Sequence, residues 1–290
     1  MNPIARIRSF NRTVTRQIGA LDNHFLGRDR SLGASRLLFE IGPRGSEIRQ
    51  LRSKLDLDSG YLSRLLRGLE SQGLIRTDPA SRDARVRRVM VTAAGRRELA
   101  VLNRLSDAAA ESLLEPLNPK QRAALTTAME AVERLMLAGA VRLEVVDPES
   151  PAAQYCLGRY FEELAARFDM GFDPGRSISA AADELTPPHG FFVLATLHGE
   201  PIGCGALKCH ERHGEIKRMW VDASSRGLGV GKRILERLEQ LAREQKLPLL
   251  RLETNRTLKE AQSLYKTSGY REVKPFNEEP YAHHWFEKTL

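Results

Sequence analysis

Three glycines at alternate positions, Gly227, Gly229 and Gly231, separate a strand-like segment, residues 215–221, from a helix-like one, residues 232–245. A chain with this unit must turn sharply from strand to helix, and it can bring bare backbone close to another group, since glycine has no Cβ to stand in the way. The helix that follows aims its free N–H groups and its positive dipole end at the same point. Arg226 and Lys232 add charge. Such a unit can bind a pyrophosphate, and it can also be no more than a tight turn. Spacing rules out a P-loop, because no Gly-Lys-Ser/Thr follows. A dinucleotide fingerprint fits poorly, because the first glycine follows Arg226 and the preceding segments read as antiparallel hairpins.

Around this unit the pattern is α+β. A helix starts near Ala152 and carries Tyr155, Leu157, Tyr160, Phe161, Leu164 and Phe168. Strands are expected at 191–197, 202–208 and 215–221, then at 249–254 after Pro248, and finally at 270–273 and 281–288. A helix with Ala261, Leu264 and Tyr265 ends at Gly269. Arg226-x-x-Gly229-x-Gly231 after a strand ending Met219-Trp220-Val221, with Leu252-Glu253-Thr254-Asn255 and Ala261-x-x-Leu264-Tyr265-x-x-x-Gly269-Tyr270, resembles the GNAT acetyltransferases over residues 141–290. The resemblance implies a mixed, largely antiparallel sheet and acetyl-CoA as acyl donor, with no metal. By the same resemblance the backbone of Met219 and Val221 holds the pantetheine arm, and amides from Leu228 through Val230 to Lys232 hold the pyrophosphate. Asn255 hydrogen-bonds the arm, and Tyr265 protonates the departing thiolate. Acetyl transfer to an amine also needs a base. Glu215 is the first candidate, with His189, His283 and His284 in reserve. The structural alternatives are a packed aromatic for Tyr265 and a carboxylate paired with Lys217 for Glu215. By the same resemblance residues 172–188 and 274–284 line the amine-acceptor pocket, where Glu278 and Glu279 are candidates to attract a cationic amine, the alternative being ordinary exposed acids.

The front half differs in charge. Residues 1–143 hold 25 Lys and Arg against 15 Asp and Glu, whereas the remainder holds 20 against 22. A polyanionic partner is therefore expected for the front half alone, the alternative being a solvated basic surface. Helical patterns cover residues 3–25, a short stretch after the capping Ser31, residues 46–55, and a helix capped by Asp58 or Ser59 and closed by Gly73. The turn Asp56-Leu57-Asp58 makes the last two a helix-turn-helix candidate. Its second helix leaves Ser59, Tyr61, Ser63, Arg64 and Arg67 outside, groups suited to phosphates and guanine edges. Strands at 74–77 and 86–92 frame a tip, and Arg82, Arg85, Arg87 and Arg88 cluster on this hairpin. Here, from Asp83-x-Arg85 through Val89-x-Val91-Thr92 to Gly95, residues 1–138 resemble the MarR family of winged-helix regulators. The resemblance implies binding to double-stranded DNA, with Arg85 at the wing tip, and a homodimer formed through the first and last helices. Leu99, Leu102, Leu113, Leu114, Leu125, Met129, Val132 and Leu135 on two further helices are offered either to that interface or to the intrachain core.

Two domains are thus expected, 1–139 and 140–290. The first is a mainly α winged helix-turn-helix with a β wing, the second an α+β GNAT fold. The reading is an acetyl-CoA-dependent N-acetyltransferase acting on a primary amine, of a small molecule or a protein lysine, fused to a DNA-binding regulator. The alternative is a regulator whose rear domain only senses acyl-CoA. Cys156, Cys204 and Cys209 have no metal-ligand spacing and read as reduced thiols of a cytoplasmic protein. No apolar run approaches a membrane span. The basic N-terminus, with Arg6, Arg8, Arg12 and Arg16, reads as a structural helix and not a transit peptide.

Overall fold

A computed structural model of the chain describes residues 2–22, 24–78, 87–178 and 180–290. The chain divides into two compact units, Met1–Ala128 and Met129–Leu290.

The first unit begins with α1 (Pro3–Gln17), capped by the Asn2 side chain. The expected helix to residue 25 stops eight residues early. Gly19 takes a positive φ of 64° there, and the apolar repeat gains no core, since Ile4, Ile7, Ile18 and Leu21 are all exposed. Helix α2 (Leu32–Ile41) starts at Ser31, whose hydroxyl accepts from the Ala34 amide. The helix expected over 46–55 is instead a short strand, β1 (Ser46–Glu47), followed by α3 (Ile48–Leu55). Asp56 turns left-handed, and Asp58 then caps α4 (Ser59–Ser71) by accepting from the Tyr61 amide at 2.8 Å. Strands β2 (Ile75–Asp78) and β3 (Arg88–Val91) follow, in a sheet ordered β1-β3-β2. The core joins Leu37, Leu38 and Ile41 of α2, Leu62, Leu66 and Leu69 of α4, and Val89 and Val91 of β3. Helix α5 (Ala93–Leu114) packs Leu102 into this core. Gly95 is required, because a Cβ there would stand 2.0 Å from the Leu74 carbonyl oxygen. Glu98 of α5 ties down the segment before α2, taking Arg28 at 2.8 Å and Arg30 at 2.5 Å.

The boundary between the units falls within α6 (Pro119–Ala140). The second unit continues with β4 (Arg142–Val146), α7 (Pro151–Arg167), β5 (Gly190–Leu197), β6 (Glu200–Cys209) and β7 (Gly214–Val221). Then come α8 (Val230–Glu244), β8 (Leu249–Thr254), α9 (Lys259–Thr267), β9 (Arg271–Val273) and β10 (His284–Thr289). The last strand starts three residues later than expected, and residues 281–283 lie ahead of it as loop. The sheet order is β4-β5-β6-β7-β8-β10-β9. Side chains alternate across it, as a pleated strand demands. Phe191, Val193 and Ala195 meet Ile234, Leu235 and Leu238 of α8, while Phe192 and Leu194 join Ala153 and Cys156 of α7 on the other face.

Two irregularities shape this sheet. Strands β7 and β8 run parallel but pair only at Gly214–Leu250 and Glu215–Arg251, at one end. On the other side of β7, Ala206 pairs with Lys217 and Cys204 with Trp220, so two steps of β6 face three of β7. This is a bulge, and Arg218 within it adopts φ 58°. Bulges bend a strand and re-aim its side chains. Gly205 sits opposite, where a Cβ would come within 2.7 Å of the Met219 sulfur.

Candidate active site

Beside the end of β7 lies a cleft of about 500 Å³. Its walls are α7, the end of β7, the glycine loop, the first turn of α8, and α9. Met219, Val221, Arg226, Gly227, Gly229, Val230, Gly231 and Lys232 all line it, so the residues expected to hold the donor are brought together. Leu228 does not line the cleft; its side chain packs on the main core. Gly227 and Gly229 have φ of 84° and 76°, and a Cβ on either would meet nothing within 4 Å. The backbone at these positions therefore faces open space. No side chain caps α8, whose preceding residue is Gly229 itself. An anion placed there would meet uncapped amides at a helix N-terminus. Loop, helix end and cleft volume fit a long phosphate-bearing thioester.

Charge in this cleft is arranged around a residue that sequence reasoning missed. The Glu163 carboxylate of α7 accepts from Arg226 at 2.6 and 2.7 Å, from Arg167 at 3.0 Å and from the Trp220 indole at 3.0 Å. Arg167 reaches on to the Thr257 carbonyl and to Glu260 of α9, both at 2.8 Å. Burial works against the Glu163 charge, but the two guanidinium groups outweigh it and hold this carboxyl below its ordinary value. Arg226, expected as a phosphate ligand, thus clasps the glycine loop to α7. The sequence signal for the clasp is the i, i+4 spacing of Glu163 and Arg167 on this helix.

A second, smaller cavity of about 90 Å³ adjoins the cleft. Tyr160, Leu164, Met219, Leu258, Ala261 and Tyr265 line both. Tyr265 is therefore at the junction. Its ring packs near Tyr270 and Phe286, with centroids 6.0 and 5.9 Å away, and burial raises its phenol pKa well above the ordinary value. Tyr160 beside it is pushed up to about 12, also by burial.

The remaining expected residues fall differently. Glu215 lines neither space; it pairs with Lys217 at 2.9 Å and lies 3.4 Å from His210. Burial opposes its charge, but Lys217 and His210 prevail and its pKa is lowered. Lys217 also contacts Glu253 of β8 at 2.5 Å, and this carboxylate does line the smaller cavity. Burial raises the Glu253 pKa despite Lys217. Asn255 likewise lines the smaller cavity and not the cleft. Its amide donates to the Tyr281 carbonyl at 2.7 Å, and its side-chain oxygen accepts from the Thr257 amide at 3.0 Å. Glu279 lines the same cavity, and His284 pairs with Glu272 at 2.6 Å.

In the first unit, Ser59, Ser63, Arg64 and Arg67 lie exposed along α4, and Arg87 is exposed at the start of β3. Tyr61 is half-buried. Its ring lies 5.6 Å from the Arg64 guanidinium, and its hydroxyl occupies the space a Cβ on Gly33 would need. Arg82 and Arg85 lie outside the described residues.

Residues 157–270 match the model of the acetyltransferase (GNAT) family. An IAA acetyltransferase from Azospirillum brasilense is 37% identical over 34% of this chain and 64% of its own length. An uncharacterized N-acetyltransferase from Schizosaccharomyces pombe is 33% identical over 41% of this chain and 80% of its own. Among solved structures, Streptococcus pneumoniae FabT in complex with DNA covers 46% of this chain and 96% of its own at a TM-score of 0.40 and 19% identity, too loose a likeness to carry an argument. The chain belongs to the GNAT acetyltransferase family, and is by family an acyltransferase. Among the described residues no helix is long and apolar enough to cross a membrane, and no cluster of His, Cys, Asp or Glu is placed to hold a metal ion.

Proposed function

We propose that residues 140–290 catalyse acetyl transfer from acetyl-CoA to a primary amine. The observation that carries this is Tyr265 standing where the glycine-lined cleft meets the smaller cavity. The donor lies in the cleft, with its pyrophosphate on the amides of residues 228–232 and its arm along the backbone of Met219 and Val221. The acceptor enters the smaller cavity. Its neutral nitrogen attacks the thioester carbon, the carbon–sulfur bond breaks, and the thiolate takes the Tyr265 proton. Burial keeps this phenol neutral, and because it disfavours a thiolate formed beside it as well, the proton can pass to sulfur. The proton lost by nitrogen passes to the carboxylate cluster around Lys217. Glu253 is the member that faces the cavity, and Glu215 fixes Lys217 from behind.

Thermal unfolding with acetyl-CoA, beside Gly229→Asp, tests this reading. A ligand that binds the native state raises its apparent stability, by about 2.7 kcal/mol at a hundred times Kd. The expected outcome is an upward shift that the aspartate variant loses, together with CoA release on adding an amine. No shift at saturating donor overturns the reading, and a shift without release from any amine leaves a domain that senses acyl-CoA.

A second activity rests on the first unit. We read residues 1–139 as a MarR-like winged helix whose exposed Ser59, Ser63, Arg64 and Arg67 face a DNA major groove, with Arg87 on the backbone. Exposed Ile4, Ile7, Phe10 and Leu113 offer apolar area for a homodimer. The cysteine content suits a reducing, cytoplasmic setting.

A further inference from the structure

The smaller cavity carries a feature that acetyl transfer alone does not require. Glu279 is only 8% exposed, yet no ion pair among the described residues includes it. Its carboxylate accepts from the Ser177 hydroxyl at 2.9 Å and from the amides of Ile178 and Tyr281 at 2.6 and 3.2 Å. Three aromatic rings share the cavity wall with it. The Phe172 and Tyr281 centroids lie 4.9 Å apart, Phe168 and Tyr281 5.7 Å, and Phe168 and Phe172 5.8 Å. Tyr281 is pinned at both ends, its carbonyl by Asn255 and its hydroxyl by the Asp173 amide at 3.0 Å. A fixed carboxylate beside fixed aromatic faces attracts an ammonium group, through charge and through the ring quadrupoles.

Size and charge narrow the ligand. A space of about 90 Å³ takes roughly three waters at their liquid volume, and so a ligand of few heavy atoms. Lys217, Arg218, Glu253 and Glu279 line it, two cations and two carboxylates, and Lys217 is shared between Glu253 and Glu215, whereas Glu279 has no ion-pair partner among the described residues. The attacking nitrogen of any acceptor must be neutral. A monoamine then adds no charge, and an amino acid adds a further negative one through its carboxylate. A diamine brings one ammonium, which answers the Glu279 carboxylate.

Resting on the acetyltransferase reading, we propose that the acceptor is a short aliphatic diamine. One amine lies neutral at the junction of Met219 and Tyr265, and the other is held as ammonium by Glu279 and its three rings. The nitrogen–acetyl bond forms as the thioester carbon–sulfur bond breaks, the nitrogen's proton passes to the protein, and the thiolate leaves as CoA thiol. The product is a mono-N-acetylated diamine that keeps its distal ammonium.

The test follows CoA thiol release by the full chain with acetyl-CoA and either 1,4-diaminobutane or 1,5-diaminopentane. The comparisons are n-butylamine, n-pentylamine, free amino acids and a lysine-containing peptide. The expected kcat/KM for the diamines exceeds that for the matched monoamines by about tenfold or more. Glu279→Gln keeps an oxygen for the Ser177 and Ile178 donors but removes the charge. It is expected to erase most of that ratio through KM, with kcat little changed. Tyr281→Leu, with a melting curve for each variant, serves as the second probe if Glu279→Gln does not fold. A monoamine or peptide that matches the diamines overturns the proposal. So does an equal loss for every acceptor in Glu279→Gln, or no turnover of diamines by protein that acetyl-CoA still stabilises. Absence of any acetyl-CoA stabilisation would instead remove the acetyltransferase reading beneath it.

Discussion

Tyr265 shows how one side chain can serve packing and chemistry together. Its ring packs beside Phe286 in the core, and the residue lines both spaces. Removing the oxygen alone separates the two roles. Tyr265→Phe should melt within a degree or so of the parent, because the buried ring remains. It should still be stabilised by acetyl-CoA. Its kcat should fall by roughly 10²-fold, the lower range for loss of a positioned acid. Steady-state rates beside melting curves check this, and an unchanged kcat would remove Tyr265 as the proton donor. Tyr265 was readable in the sequence because its motif is local, within one helix and the glycine that ends it. Glu215 was readable only in part. Its partnership with Lys217 follows from alternation along β7, but Glu253, which faces the cavity, comes from a neighbouring strand 36 residues away. No local pattern announces such a pairing.

Among elements, the Glu163 clasp joins α7 to the glycine loop and, through Arg167, to α9. Its pKa is lowered in the folded chain, against burial, by those arginines. The stability it contributes is therefore complete above the unfolded value of about 4.3, and is lost as pH falls through the lower folded value. Glu163→Gln should be less stable than the parent at pH 7 by about 1 kcal/mol, a modest figure because Arg226 is partly exposed. That corresponds to roughly 2–4 °C for a unit of this size. The gap should narrow below about pH 4, where other paired carboxylates such as Glu98 weaken both proteins alike. Melting temperatures measured from pH 3 to 7 check this, and a constant gap would place the variant's effect outside ion pairing. The elements themselves were mostly legible, since periods of two and 3.6 and the caps at Ser31 and Asp58 are local signals. Those missed depended on distance. Ser46 and Glu47 are a strand only because Val89 and Arg88 pair with them. The apolar repeat after Gln17 looked helical, yet Gly19 turns the chain and no core rewards continuation.

For the whole molecule, the uneven charge separates two surfaces with different salt responses. If α4 and the following hairpin bind DNA through phosphates, affinity should fall by roughly 10³-fold or more between 50 and 200 mM salt. Arg67→Ala should flatten the logarithmic slope by about one. Acetyl-CoA stabilisation should change far less over the same range if apolar burial dominates it. Fluorescence anisotropy with duplex DNA at several salt concentrations measures the first effect, and a salt-independent or absent signal would overturn the DNA reading. The splayed strands have a separate consequence for how copies of this chain behave in a crowded solution. Most sheets leave unpaired backbone at their outer margins, where another chain can add a strand and begin an aggregate. Here part of it lies mid-sheet, where β7 and β8 part between walls formed by α7 and α9. Flanked by these helices, that backbone is a poorer template for self-association than an outer edge strand.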